Sequence, residues 1–120
     1  MRKEWALDTI STARKIVEML EEHKAENIIL MDISDQVDFT DYFIICTGTS
    51  ERMIGALADV VVREMRSEHQ IHARTQGIAE GGWLLIDFSD IIVHIFSQEK
   101  RDYYSLEDLY HEAKVLLRLE

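Results

Sequence analysis

Residues 82–96, Gly-Trp-Leu-Leu-Ile-Asp-Phe-Ser-Asp-Ile-Ile-Val-His-Ile-Phe, constrain this chain more than any other stretch. Two apolar runs, 83–88 and 91–96, are separated only by Ser89 and Asp90. That is the spacing of a tight β-hairpin. With those two residues as the turn, Phe88 faces Ile91, Asp87 faces Ile92, Ile86 faces Val93, Leu85 faces His94, Leu84 faces Ile95 and Trp83 faces Phe96. Side chains alternate along a strand, so this register sorts the hairpin into two unlike faces. Phe88, Ile91, Ile86, Val93, Leu84 and Ile95 form one face, wholly apolar and expected to be core. Asp87, Ile92, Leu85, His94, Trp83 and Phe96 form the other. A face that mixes aromatic, aliphatic, acidic and imidazole groups is unusual if it meets only water. It reads either as core under a helix, with Asp87 and His94 satisfied locally, or as a docking surface anchored by Trp83, because interface centres favour tryptophan.

The chain around the hairpin divides by periodicity. Ala6, Ile10, Ala13, Val17 and Leu20 recur at steps of four and three and predict an opening helix, with Trp5 one turn before Thr9. Residues 27–31 form a short apolar strand. Residues 32–38 carry an aspartate every third position but lack the glycine at position six and the acid at position twelve of a calcium loop, so they read as a polar loop. Residues 41–47 are apolar on both faces and predict a central strand. Cys46 lies inside it as an inert buried thiol. Gly48-Thr-Ser50 then opens a second helix with Ile54, Leu57, Ala58, Val61 and Met65 as its buried stripe. Residues 70–74 read as a third strand, parallel to the second through a right-handed crossover, and 75–81 as a loop. His69-x-x-His72 has no third ligand and reads as surface. Ser105-Leu-Glu-Asp108 looks like a capping box, and the last helix would bury Leu106, Leu109, Tyr110, Ala113 and Leu117. The expected fold is α/β, bordering on α+β: a mixed five-stranded sheet packed by helices, one domain over residues 1–120.

Composition narrows the function. Thirteen basic against twenty-three acidic side chains give a net charge of −10. Such a chain repels a polyphosphate at long range and attracts a basic protein, so direct sequence-specific nucleic-acid binding is not expected. One cysteine excludes an intrachain disulfide. No apolar run is long enough to span a bilayer, and no signal-peptide core follows the N-terminal five residues. The expected location is the cytoplasm, away from membranes.

Four stretches together carry a family resemblance: 41–50 (Asp-Tyr-Phe-Ile-Ile-Cys-Thr-Gly-Thr-Ser), 82–87 (Gly-Trp-Leu-Leu-Ile-Asp), 90–96 (Asp-Ile-Ile-Val-His-Ile-Phe) and the Arg101-x-Tyr-Tyr-x-Leu-Glu-x-Leu109 pattern. In order and spacing they resemble the ribosomal silencing factor family, also called the Iojap family, from about residue 6 to about residue 113. The resemblance implies a factor that binds the large ribosomal subunit at its fourteenth protein and sterically blocks the small subunit, repressing translation when nutrients are short or guarding immature large subunits. It also implies a fold related to nucleotidyltransferases, usually without their catalysis, and a homodimer when free. Where the family commonly has Glu-Gly before the hairpin, this chain has Gln76-Gly77; where it commonly has Leu-Trp near the end, this chain has Leu109-Tyr110.

The resemblance and the residues meet on the hairpin's unlike face. A ribosomal protein is basic and this chain is acidic. Trp83 and Leu85 are the expected apolar anchors and Asp87 the charge that meets Lys or Arg; His94 shares their face, and Asp90 and Glu80 add rim charges useful for steering. No catalytic residue, metal ligand or cofactor is expected. Two alternatives compete. A nucleotidyltransferase-like enzyme would need carboxylates that jointly hold two metal ions, yet Gly48-Thr-Ser50 is followed by no Asp-x-Asp, Asp87 is paired only with Ser89, and Asp38 and Asp41 precede a different strand. A dimeric interaction module for another basic partner is the second alternative.

Overall fold

The computed structural model describes residues 8–120. Trp5 and Ala6, assigned above to the first helix, lie outside them. The chain runs α1 (Thr9–Glu22), β1 (Glu26–Asp32), β2 (Tyr42–Thr47), α2 (Glu51–His69), β3 (Arg74–Ile78), a 3-10 turn (Ala79–Gly81), β4 (Trp83–Asp87), β5 (Ile91–Phe96), α3 (Gln98–Tyr104), α4 (Leu106–Leu109) and β6 (Lys114–Leu119). The strands form one mixed sheet in the order β3-β4-β5-β2-β1-β6. Only β2 and β5 run parallel; every other neighbouring pair is antiparallel.

The hairpin has the expected register, from Trp83 opposite Phe96 to Asp87 opposite Ile92. Its Ser-Asp turn is a poor primed-turn pair by type, and a side chain makes up the deficit. Ser89 takes a left-handed φ of 77°, and its N–H donates to Asp87 Oδ1 at 2.7 Å. Helix ends are equally local. Asp8 accepts from Ser11 N at 2.8 Å, Ser50 accepts from Met53 N at 3.0 Å and Ser97 accepts from Lys100 N at 3.2 Å, each satisfying a donor that the helix itself leaves free.

The two sheet faces bury separate cores. Ile16, Leu20, Ile54, Leu57 and Val61, from α1 and α2, pack on Leu30, Ile44, Ile86, Val93 and Ile95. The second helix's expected stripe, Ile54, Leu57, Ala58, Val61 and Met65, is buried throughout. On the opposite face Ile29, Met31, Phe43, Ile45, Ile92 and Phe96 form a smaller core beneath Leu106, Tyr110 and Ala113. Cys46 sits in the larger core, fully buried, and desolvation pushes its thiol up to about 12.

Two parts of the architecture differ from the sequence expectation. The strand after α2 is 74–78, not 70–74, and it pairs antiparallel with β4 at the sheet edge. Gln70 instead caps α2 in a left-handed conformation, and the parallel partner of β2 is β5. A glycine inside the stretch expected to be a loop is what lets the strand close. Gly77 adopts φ 91°, and a Cβ there would run into the Trp83 carbonyl oxygen. The second difference is a sixth strand. Residues 105–117 space their apolar side chains like a helix, yet helix ends at Leu109 and 114–119 pair with β1. Ser105 is left-handed at φ 49°, and its hydroxyl donates to Asp108 Oδ2 at 2.8 Å instead of capping a backbone N–H. Val115, Leu117 and Leu119 alternate in this segment, and pairing satisfies an edge of β1 that a helix would leave open.

Candidate docking surface

The segment after β5 divides the unlike face of the hairpin in two. The inner part, Ile92, His94 and Phe96, is buried with Phe43 beneath α3 and α4. The outer part stays accessible: Trp83, Leu85 and Asp87 are half-buried, and β3 adds Ile78, Gln76 and Arg74 directly opposite them. Ile78 is 64% exposed and Tyr104, at the end of α3, is 43% exposed. Gln76, Gly77, Trp83 and Leu85 line a depression of about 190 Å³. The core reading holds for the inner half, and the outer half is left accessible.

Trp83 is held from three sides. Its indole stacks on Phe96, with centroids 4.9 Å apart and planes at 28°. Tyr104 packs on it at 4.5 Å, and the indole Nε1–H donates to His94 Nδ1 at 3.2 Å. His94 is 3% exposed, and desolvation lowers it from 6.5 to about 4, so the ring is neutral. Phe43 meets it edge-on at 4.5 Å. His94 was expected at the partner surface; burial removes it from direct contact, because its register position lies on β5 under the helical cover.

The acidic residues lie around the accessible part. Asp87 accepts the Ser89 N–H and so also braces the turn. Asp90 is exposed at that turn, while its carbonyl accepts from Asp41 N and Tyr42 N, tying the hairpin to β2. Glu80 is exposed in the 3-10 turn before Trp83, whose Ala79 packs against the larger core. Asp90 and Glu80 therefore flank β4 at opposite ends, the strand itself spanning roughly 13 Å from Trp83 to Asp87 by strand rise.

Asp32 and Gly48, flagged for other chemistry, have local structural roles. Asp32 accepts from Ser34 N and Ser34 Oγ at 3.0 and 2.6 Å, which lowers its carboxyl below the ordinary value and opens the 32–38 loop with an Asx turn. At Gly48 a Cβ would meet Ile54 Cγ1 at 2.7 Å, so the glycine serves close strand–helix packing. His72 is exposed, but His69 is half-buried with its Nε2 unpartnered, less of a surface residue than its polar surroundings suggest. Among the described residues no three His, Cys, Asp or Glu side chains converge on a common point suited to a metal ion.

Sequence reasoning missed the residue that holds the cover down. Arg101 is 7% exposed. Its guanidinium bonds Glu107 in bidentate fashion, both contacts at 3.1 Å. It also donates to Asn27 O at 2.7 Å and Thr47 Oγ1 at 2.9 Å. Arg101 entered the sequence reading only as part of the 101–109 family pattern, with no structural role, because two of its partners are 54 and 74 residues away. Ile78 and Tyr104 were also missed. Extending the hairpin register to a third strand would have found Ile78.

Residues 6–120 match the family model described as "Ribosomal silencing factor during starvation". The chain belongs to the ribosomal silencing factor family. Among its relatives, Ribosomal silencing factor RsfS of Bacillus subtilis is 33% identical over 94 residues, covering 78% of this chain and 79% of that protein. The Mus musculus protein named "Mitochondrial assembly of ribosomal large subunit protein 1" is 28% identical over 98 residues, 79% of this chain but 43% of the longer mouse protein. A crystal structure of a Chromobacterium violaceum protein superposes with a TM-score of 0.83 at 30% identity, covering 88% of each chain. The mixed α/β architecture of this silencing factor thus has an experimentally solved counterpart. No helix among the described residues is long and apolar enough to cross a membrane.

Proposed function

We propose that this silencing factor binds the large ribosomal subunit at its fourteenth protein, through the surface of Trp83, Leu85, Ile78 and Tyr104, and by occupying that surface keeps the small subunit from joining. One observation carries the proposal: an accessible tryptophan, fixed by stacking and a hydrogen bond, lies beside an open apolar edge in a chain of net charge −10. Such a patch suits a partner that is basic and partly apolar, as a ribosomal protein is. The family's name and the mouse relative's name both point to the ribosome. Asp87 meets a cation of the partner, and Asp90 and Glu80 steer the approach. His94 acts from beneath. The action is stoichiometric, needs no chemical step and takes place in the cytoplasm. When free, the protein self-associates through surface adjacent to or overlapping this patch, because exposed apolar area of this kind is a liability in water.

The test is co-sedimentation with separated large and small subunits, followed by light scattering of subunit joining. Wild-type protein should sediment with large subunits and reduce joining in proportion to occupancy. Trp83→Ala should weaken binding by more than about 2 kcal/mol with its circular dichroism retained. Complete inhibition at sub-stoichiometric protein, or a requirement for added nucleotide, would refute the steric mechanism.

A further inference from the structure

We propose that His94 is the positioning residue of the docking surface: its imidazole, protonated at Nε2, accepts the Trp83 indole N–H at Nδ1 and holds the indole in the one orientation a partner meets. The inference rests on the docking role of Trp83 proposed above. An indole N–H can only donate. At 3.2 Å from it, Nδ1 must be the unprotonated nitrogen, which leaves the proton of a neutral ring on Nε2. That second nitrogen is buried and finds no hydrogen-bond partner among the described residues. A site built for packing alone would take an apolar side chain here and avoid burying an unsatisfied donor. What the imidazole supplies, and leucine cannot, is the acceptor.

The other contacts of Trp83 are made through its ring faces and leave the N–H without a partner of its own. Phe96 and Tyr104 grip the indole by its faces, at 4.9 and 4.5 Å between centroids. Stacking sets the plane of the indole, and the hydrogen bond adds a direction for the N–H within that plane. The rings against His94, those of Trp83, Phe43 and Phe96, carry no formal charge, so nothing among them competes for Nδ1. A depression lined by Trp83, Leu85, Gln76 and Gly77 keeps its shape only while the indole stays in place.

Two substitutions separate positioning from bulk. Asparagine carries an amide oxygen near the place of Nδ1, and leucine fills the volume without an acceptor. In the free protein, the Trp83 indole N–H resonance, assigned by its loss in Trp83→Phe, should exchange slowly with solvent in wild type and His94→Asn. It should exchange at least about tenfold faster in His94→Leu. Affinity for isolated large subunits should fall about tenfold in His94→Leu and stay within about threefold of wild type in His94→Asn. In a Trp83→Phe background, which lacks the N–H, His94→Leu should add no further loss. Nitrogen spectra placing the His94 proton on Nδ1 at neutral pH would overturn the proposal, as would a folded His94→Leu with wild-type affinity. If His94→Leu fails to fold, Trp83→Phe alone decides: it keeps the stacking and loses the donor, so it should bind about tenfold more weakly, and wild-type affinity overturns the proposal. A hydrogen bond verified in the free protein together with unchanged subunit binding by Trp83→Ala would instead overturn the docking role of Trp83.

Discussion

His94 and Asp87 each have a place in the fold beside the role proposed for them at the surface. The folded chain keeps His94 neutral down to about pH 4, whereas its ordinary value is 6.5. Above that value neither state binds the proton and the ring imposes no penalty. As pH falls from 6.5 toward 4, the unfolded chain takes up a proton that the folded chain refuses, so stability is lost across that window and the loss levels off below it. The full loss is about 3 kcal/mol. Urea denaturation at pH 7, 5 and 4 should show it, and His94→Leu should lose this component of the acid sensitivity. Asp87 separates charge from geometry. Asp87→Asn keeps an oxygen for the Ser89 N–H, so its stability should stay within about 0.5 kcal/mol of wild type while its affinity for large subunits drops. Asp87→Ala removes the turn's brace as well and should cost about 1 kcal/mol in the same denaturation assay. Asn binding as wild type would remove the Asp87 charge from the site.

At the scale of elements, the surface depends on two neighbours of the hairpin, the α3–α4 cover and the edge strand β3. Arg101 ties the cover to Asn27 and Thr47 and clasps Glu107. Arg101→Met leaves a carboxylate, a carbonyl and a hydroxyl without their partner and should destabilise by about 3 kcal/mol in thermal or urea unfolding. It should also loosen Leu106 and Tyr110 over Phe43 and Phe96, detectable as faster amide exchange along β5. On the other side, Gly77→Ala sets a Cβ against the Trp83 carbonyl oxygen at a positive φ. Amide exchange should then show β3 fraying from β4, with subunit affinity reduced while the larger core stays protected. The hairpin register was readable because its contacts are set by a two-residue turn and strict alternation. The cover was not, because Arg101 finds its partners across 54 and 74 residues of sequence.

For the whole molecule, charge and exposed apolar area set the behaviour in solution. A net charge of −10 attracts a basic partner at a distance and is screened by salt. Affinity for large subunits measured by co-sedimentation should therefore fall as salt rises, mainly through slower association. Ile78, Tyr104 and the accessible part of Trp83 should drive self-association of the free protein. Sedimentation velocity over a concentration series should reveal a reversible dimer, and Trp83→Ala should shift it toward monomer. A strictly monomeric profile at high concentration would refute the dimer.

By itself the sequence determined the hairpin, its register, the two unlike faces and the buried stripe of α2, because turn length, alternation and helical period are local. It also carried the family, through four short patterns in order. Only the tertiary structure decided which half of the unlike face is open. That depended on where the chain after Phe96 returns: α3 and α4 cover β5 and β2 and reach β4 where Tyr104 packs on Trp83, while β3 at the sheet edge stays open. The same return turned the expected last helix into β6. Apolar residues spaced three and four apart are compatible with a helix anywhere, but beside the open edge of β1 this segment gains a hydrogen-bonded ladder and sets Leu117 and Leu119 against the larger core. His94 passed from expected contact to buried acceptor for the same reason, since its neighbours were set by packing and not by position in the chain.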